Sequence, residues 1–157
     1  MGELNDGGAE RQIIAFTLSH EAFGIDIARV ERIAPCETIT RVPRAPVFIS
    51  GIMNLAGRIV TLIDLTKILR LKRDDEAGQQ IIILNHEDMN IGFITGQVTD
   101  VITTDDESLS KEIVRLNSQE GNFVSAILNP GDRIINILDI EKLLDFVKKS
   151  FVDSRGK

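Results

Sequence analysis

The sequence predicts an all-β protein made of two small β-barrels that descend from one duplicated unit. Three observations carry that expectation. Short apolar, β-branched runs recur along the chain between turn residues, which is how strands read. Two of these runs are echoed further along in the same order. Clear helical spacing is confined to two stretches, each following a strand directly.

Taken in order, Ile13 to Leu18 reads as a first strand and Ser19-His20-Glu21 as a hairpin turn. Phe23 to Ile27 alternates with period two, as a half-buried strand does. Val30 and Ile33 continue an apolar face into a bend or a third strand. Pro35, Pro43 and Pro46 cannot donate to a central ladder, so Pro35 to Pro46 is expected along a sheet edge. Phe48 to Asn54 fits a turn of helix or a short strand. Past Gly57, Arg58 to Leu65 is a strongly apolar strand and Leu65 to Leu69 a short helix. Asp64 stands at its N-cap, where a carboxylate accepts free backbone N–H groups. Lys72 to Gly78 is charged and aperiodic, a connector. Gln80 to Leu84 is the next strand, and Ser108 to Ser118 fits loop or helix. In Asn129-Pro130-Gly131-Asp132, proline fixes φ and glycine tolerates φ > 0, which makes a turn. Arg133 to Leu138 is the last clear strand, and Ile140 to Val147 is helical by spacing. The expected organisation is one domain over 12–147 between flexible tails at 1–11 and 148–157. Its subdomains cover 12–72 and 79–147 and can exchange terminal elements.

The repeat has two parts. Ile13-Ile14 and Leu18-Ser19-His20-Glu21 are echoed by Ile81-Ile82 and Leu84-Asn85-His86-Glu87, with Gly24 and Gly92, then Val30 and Val98, following at matching distances. Arg58-Ile59-Val60-Thr61-Leu62-Ile63-Asp64-Leu65 aligns without gaps to Arg133-Ile134-Ile135-Asn136-Ile137-Leu138-Asp139-Ile140. One match could be chance; two in the same order make a duplication. A small sheet with one apolar face is unstable alone, so each half is expected to close into a barrel and to pack on the other. The groove between two related barrels is a natural docking place.

Composition excludes several functions. The 157 residues are 43% apolar and 27% charged, the proportions of a globular protein. The net charge is −6, with seven Phe and neither Trp nor Tyr. That leaves no basic stripe for phosphates and little for bases to stack on, which argues against nucleic acid. Cys36 is the only cysteine, so neither a disulfide nor a cysteine zinc cluster is available. No apolar run approaches the roughly 20 residues of a membrane span.

Candidate chemistry is sparse. His20 and His86 occupy equivalent turns of the two repeats, and Asp64 and Asp139 equivalent helix caps. Inheritance by duplication accounts for both pairs better than phosphotransfer, metal binding or acid–base work. Asp105-Asp106-Glu107 lacks the spacing of a calcium loop. Gly51 to Gly57 is followed by Arg58-Ile59 and not by a Lys-Ser/Thr phosphate-binding pair. Ser19, Ser50 and Ser125 sit in no nucleophile elbow. No catalytic residue, metal site or cofactor is expected.

Phe23-Gly24-Ile25-Asp26-Ile27, Thr40-Arg41-Val42-Pro43 with Ala45-Pro46, Phe48-Ile49-Ser50-Gly51, Asn54-Leu55, Ile59-Val60 with Ile63-Asp64-Leu65, Gly131-Asp132-Arg133 and Ile140-Glu141-Lys142-Leu143-Leu144 occur here in one order and spacing. Together they make the chain resemble the CheW-like family of chemotaxis coupling proteins, from about Gln12 to Val147. The resemblance implies two five-stranded SH3-like barrels and a non-enzymatic scaffold. It implies two partners, the regulatory domain of a chemotaxis histidine kinase and the cytoplasmic tip of transmembrane chemoreceptors. It also implies a cytoplasmic location at receptor arrays, without membrane insertion or nucleic acid. The receptor groove maps to Val30, Gly51, Ile59 and Val98, and the kinase edge to Ile39, Thr40, Arg41 and Val42. One departure stands out: where the family pairs a glutamate with an arginine, this chain has Arg32 and Ala56. Other readings of the sequence are a divergent adaptor in a kinase pathway for surface motility or gene control, and a non-enzymatic small-molecule-sensing barrel.

Overall fold

A computed structural model describes residues 10–72, 79–105, 109–110 and 123–155. Residues 73–78 of the expected Lys72 to Gly78 connector, the acidic pair Asp106-Glu107, most of Ser108 to Ser118 and residues 1–9 of the N-terminal tail lie outside these residues. The elements are β1 (Glu10–Leu18), β2 (Glu21–Asp26), β3 (Val30–Pro35), β4 (Ile49–Leu55), β5 (Arg58–Asp64), α1 (Leu65–Leu69), β6 (Gln80–Leu84), β7 (Ile91–Thr95), β8 (Val98–Asp105), β9 (Leu109–Ser110), β10 (Val124–Leu128), β11 (Ile135–Leu138) and α2 (Ile140–Arg155). The all-β expectation holds: two sheets dominate, with short helical elements beside them. Residues 30–35 and 49–55, which the sequence left open, are both strands.

The two sheets exchange hairpins between the repeats. One sheet runs β8-β1-β2-β11-β10-β9 and the other β3-β6-β7-β5-β4. The first hairpin of each repeat therefore lies in the sheet built by the last strands of the other repeat. The exchange is made by two parallel contacts: β2 with β11 through Phe23–Asn136 and Gly24–Ile137, and β5 with β7 from Thr61–Ile91 to Asp64–Ile94.

Side-chain alternation then divides the core into three. On β1, Ile13 and Ala15 join Ala126, Leu128, Ile135 and Ile137 on one side of the first sheet. Ile14, Phe16 and Leu18 point the other way. On β6, Ile81 and Ile83 join Met53, Val60, Leu62 and Ile94. Ile82 and Leu84 face away from them. These outward sets meet in one shared core with Phe23, Ile63, Phe93, Leu138 and Leu143. Strands buried on both faces read as unbroken apolar runs, which is why Ile13 to Leu18 and Gln80 to Leu84 show little alternation.

The duplication is visible in atomic detail. The Asp64 amide donates to the Phe48 carbonyl at 2.8 Å, and the equivalent Asp139 amide to that of Phe123 at 2.7 Å. Asp64 caps α1 by accepting from the Thr66 amide at 3.0 Å, and Asp139 caps α2 by accepting from the Lys142 amide at 3.1 Å. Gly24 and Gly92 fill the same niche: an added Cβ would lie 2.6 Å from Ile13 Cγ2 in one and 2.6 Å from Ile81 Cγ2 in the other. His20 and His86 sit in turns, as expected. Ser19 and His20 both have positive φ and close the β1–β2 hairpin as a two-residue loop, and the His86 imidazole Nδ1 accepts from the Asp88 amide.

The helices differ. α1 stops after one turn, because Arg70 adopts the left-handed conformation with its N–H bonded to the Thr66 carbonyl. α2 continues to Arg155, through residues 148–155 that the sequence assigned to a flexible tail. No proline or glycine interrupts that stretch, and Lys149 pairs with Asp145 one turn earlier at 3.3 Å. Phe146 of α2 packs on both Phe48 and Phe123, with ring centroids 5.4 and 5.6 Å apart. The last helix thereby ties the two equivalent phenylalanines together. The first strand likewise starts at Glu10, inside the predicted N-terminal tail, where Glu10 and Arg11 pair with β8.

Two ion pairs brace the first strand of each sheet to the fourth. Arg58 at the start of β5 donates to both Glu31 oxygens on β3, at 2.9 and 3.0 Å. Arg133, its equivalent before β11, donates to Asp100 on β8 at 3.0 Å. Both acids adjoin a bulge. The β3 register skips Glu31 between Val30 and Arg32, and the β8 register skips Thr99 between Val98 and Asp100. Glu31 is itself the bulged residue, turned out of the ladder, whereas Asp100 follows its bulge and stays in register opposite Ala15.

Gly24→Ala and Gly92→Ala are each expected to cost about 1–3 kcal/mol in urea unfolding, because the stiff isoleucine branch beside each must move; free tolerance of either would show the niches to be soft. The Arg133 guanidinium, then the Thr99 hydroxyl, hold the Asp100 carboxyl below its ordinary range. A depressed carboxyl stabilises at neutral pH, and the gain disappears as pH falls through the lowered value. The stability lost in Asp100→Asn, at most about 1 kcal/mol for so exposed a pair, should therefore vanish in acid and shrink with salt. A difference that survives in acid would mean Asp100 acts by something other than its charge.

Candidate functional site

The eight site residues expected from the sequence fall into three places. Val30 opens β3, half-buried against the shared core and paired with Leu84 at the far end of β6. Ile59 follows Arg58 on β5 and is 49% exposed. Because Arg58 holds Glu31, Val30 and Ile59 flank one charged corner. Val98 opens β8, also half-buried against the shared core, and its amide donates to the Gln80 side chain at 2.8 Å, at the near end of β6. Val30 and Val98 are thus equivalent by the repeat, at the two ends of the same strand.

Gly51 belongs with the other group. It is buried in β4 opposite Leu62, with φ at +148°. A Cβ there would lie 2.3 Å from the Thr40 carbonyl oxygen and 2.7 Å from Ile39 Cγ2. Its lack of a side chain is what lets the 39–40 segment lie on β4. Thr40 and Ile52 exchange both backbone hydrogen bonds at 2.8 Å, a single bridge along the outer edge of the five-stranded sheet. The proline-rich segment runs at an edge, as its composition predicts.

Ile39, Arg41 and Val42 line a hollow of about 680 Å³ with Arg44, Val47 and Lys67, between the segment after β3 and α1. Val42 is 40% and Val47 75% exposed. The Val42-Pro43-Arg44-Ala45 turn has proline first and a positive φ, 65°, at Arg44, the type II pattern. Arg32 and Ala56 form no pair. Ala56 and Gly57 make the tight β4–β5 turn with φ of 53° and 87°, and Asn54 accepts from the Gly57 amide at 2.9 Å. The charge pairing at this corner is made instead by Glu31 and Arg58. Sequence reasoning missed that pair because the bulge at Glu31 carries no signature in the residue pattern.

Among the described residues no three His, Cys, Asp or Glu side chains gather as metal ligands, and no helix is long and apolar enough to cross a membrane. What the surface offers is a charged corner flanked by aliphatic side chains and a proline-rich edge with exposed valines and arginines. Among the described residues these are surfaces for contact and hold no cluster of reactive groups. The comparisons agree. A family model described as CheW-like domain matches residues 12–148, and the chain belongs to that family. The Chemotaxis protein CheW of Thermotoga maritima is 27% identical over 145 residues, covering 92% of this chain and 95% of that protein. That of Klebsiella aerogenes is 30% identical over 148 residues, covering 94% and 89%. A crystal structure of the scaffolding protein CheW from Thermoanaerobacter tengcongensis superposes with a TM-score of 0.76 at 29% identity, over 88% of this chain and 90% of that one. The chain is a CheW-like scaffolding protein of chemotaxis signalling, in a family that is non-enzymatic.

Gly51→Ala is expected to destabilise by about 2–4 kcal/mol, since the new methyl meets backbone and the φ is unfavourable. Hydrogen exchange should show the Thr40 and Ile52 amides losing protection ahead of the rest of the sheet; uniform loss would mean Gly51 does not seat the edge.

Proposed function

We propose that this chain couples a chemotaxis-type sensor histidine kinase to transmembrane chemoreceptors by binding both, and that it works in the cytoplasm at receptor arrays. The observation that carries this reading is the family match along 12–148. Two separate surfaces support it. The corner of Val30 and Ile59 takes the receptor tip, with Val98 apart from it at the other end of β6. The edge of Ile39, Thr40, Arg41 and Val42, seated by Gly51, takes the kinase regulatory domain. Holding both raises the local concentration of one near the other without any chemistry by the scaffold. Contacts by sheets this small are modest, each burying about 1,600 Å² or less, so assembly depends on their repetition. Arg32 and Ala56 stand where the family pairs charges, which favours a divergent receptor set, or a kinase of a motility or gene-control pathway, within the same adaptor chemistry.

The test is binding of the full chain to the source organism's kinase regulatory domain and to a receptor-tip fragment, separately. Ile59 is exposed, so Ile59→Glu should fold normally and weaken receptor binding about tenfold or more by placing an unpaired charge in an apolar contact. Kinase binding should be unchanged. Val42→Glu should do the reverse. If both variants lose both partners, or neither loses any, the two-surface reading falls.

A further inference from the structure

We propose that the hollow between the Pro43-Arg44 turn and α1 receives an acidic segment of the kinase regulatory domain carrying an aliphatic side chain, and that Arg44 sets its charge preference. The proposal rests on the scaffold reading for placing the kinase at this edge, and adds the chemistry of the contact.

Three observations meet here. The first is uncommitted positive charge. Arg41, Arg44 and Lys67 line the hollow, and among the described residues none of them makes a side-chain hydrogen bond or an ion pair. The carboxylate in the lining, Asp64, is buried and committed to capping α1 through Thr66. On a chain of net charge −6, a run of cations left without partners is a local reversal of sign. Complementary charge on the other protein steers encounter and fixes register.

The second is strain. Arg44 has φ of 65°, in the left-handed region, at the second central position of its turn. Glycine or asparagine holds that position more easily. An arginine kept there at a conformational cost points to a use for its side chain beyond the turn, since strain of this kind concentrates at sites of function. The third is exposed aliphatic surface on the same rim, Val42 and Val47, the latter 75% exposed. An apolar contact framed by unpaired guanidinium groups fits a partner segment that alternates carboxylates with an aliphatic anchor. Arginine favours such carboxylates because its planar fork can bind them through two hydrogen bonds.

The experiment is a titration of the full chain with the kinase regulatory domain at low and high salt. Arg44→Asn keeps the turn, because asparagine tolerates positive φ, and removes the charge. It should have a Tm equal to or above that of the native chain. It should weaken kinase binding about threefold to tenfold at low salt and little at high salt, leaving receptor-tip binding unchanged. Arg41→Ala and Lys67→Ala should each flatten the salt dependence further. Kinase binding that is indifferent to salt and to all three substitutions overturns this proposal and leaves the scaffold reading standing. Failure of the native chain to bind the kinase at all overturns both. Binding to vesicles of anionic lipid that is lost in Arg44→Asn, with kinase affinity intact, would assign the hollow to a membrane surface and overturn it too.

Discussion

Two parallel strand contacts, β2 on β11 and β5 on β7, decide how this molecule is put together. Parallel neighbours cannot be joined by a tight turn, so each contact must bring together segments far apart in the chain. Here each one joins a hairpin from one repeat to the closing strands of the other. Neither repeat can complete a sheet by itself. The shared core shows the same dependence: Phe16 and Phe23 from the first repeat pack with Leu138 and Leu143 from the second. Removing either hairpin would strip an inner strand pair from one sheet and uncover the apolar side of the other. The two sheets are therefore expected to unfold together.

Some of this was legible in the residues. The gap-free match of the segment from Arg58 to that from Arg133 located two equivalent strands and two equivalent aspartate caps, and the structure places both. The hairpin exchange was not legible beyond the bare possibility that terminal elements trade places. Alternation and apolar runs say which faces of a strand are buried, not which strand lies beside it. Matching Ile13-Ile14 to Ile81-Ile82 identifies corresponding strands, yet it holds equally for two separate sheets and for two that trade hairpins. β4 was ambiguous for a local reason. Gly51 and Asn54 interrupt an apolar run and mimic helix or loop, whereas each is there for a contact: Gly51 for the approach of Thr40, Asn54 for the Gly57 amide. The length of α2 was missed because a stretch rich in charged and small polar residues, as Lys148 to Lys157 is, reads alike as helix or as tail. For the candidate site the residues offered a resemblance and no geometry, because the grouping of those residues depends on which strands lie beside one another.

The braces Glu31–Arg58 and Asp100–Arg133 show how a duplicated plan tolerates drift. The arginines sit at equivalent positions, and in each copy a bulge follows the valine opening the strand. The acids themselves differ by one position between the copies, because one is the bulged residue and the other follows it. Exposed pairs of this kind contribute about 0–1 kcal/mol each, small beside the burial of a single large core side chain, worth roughly 1.5–3 kcal/mol. Each joins the first strand of its sheet to the fourth across the sheet's end.

This also bears on Arg32 and Ala56, the positions at which the sequence departs from the family it resembles. A charge pair at the end of β3 can form with the acid one position earlier and the arginine two positions later, provided a bulge turns the acid outward. The corner keeps its brace while the charges visible to a partner move. Ala56 then occupies a turn position with positive φ, where a long side chain brings no folding advantage, and Arg32 is released from any pairing within the sheet. Stability and surface charge are thereby separated on one strand: Glu31 serves the frame, and Arg32 stands exposed beside it. Reversing a charge beside an apolar contact costs the fold little and can change which partner is accepted. A scaffold whose function is to hold others can diverge in this way without disturbing the core.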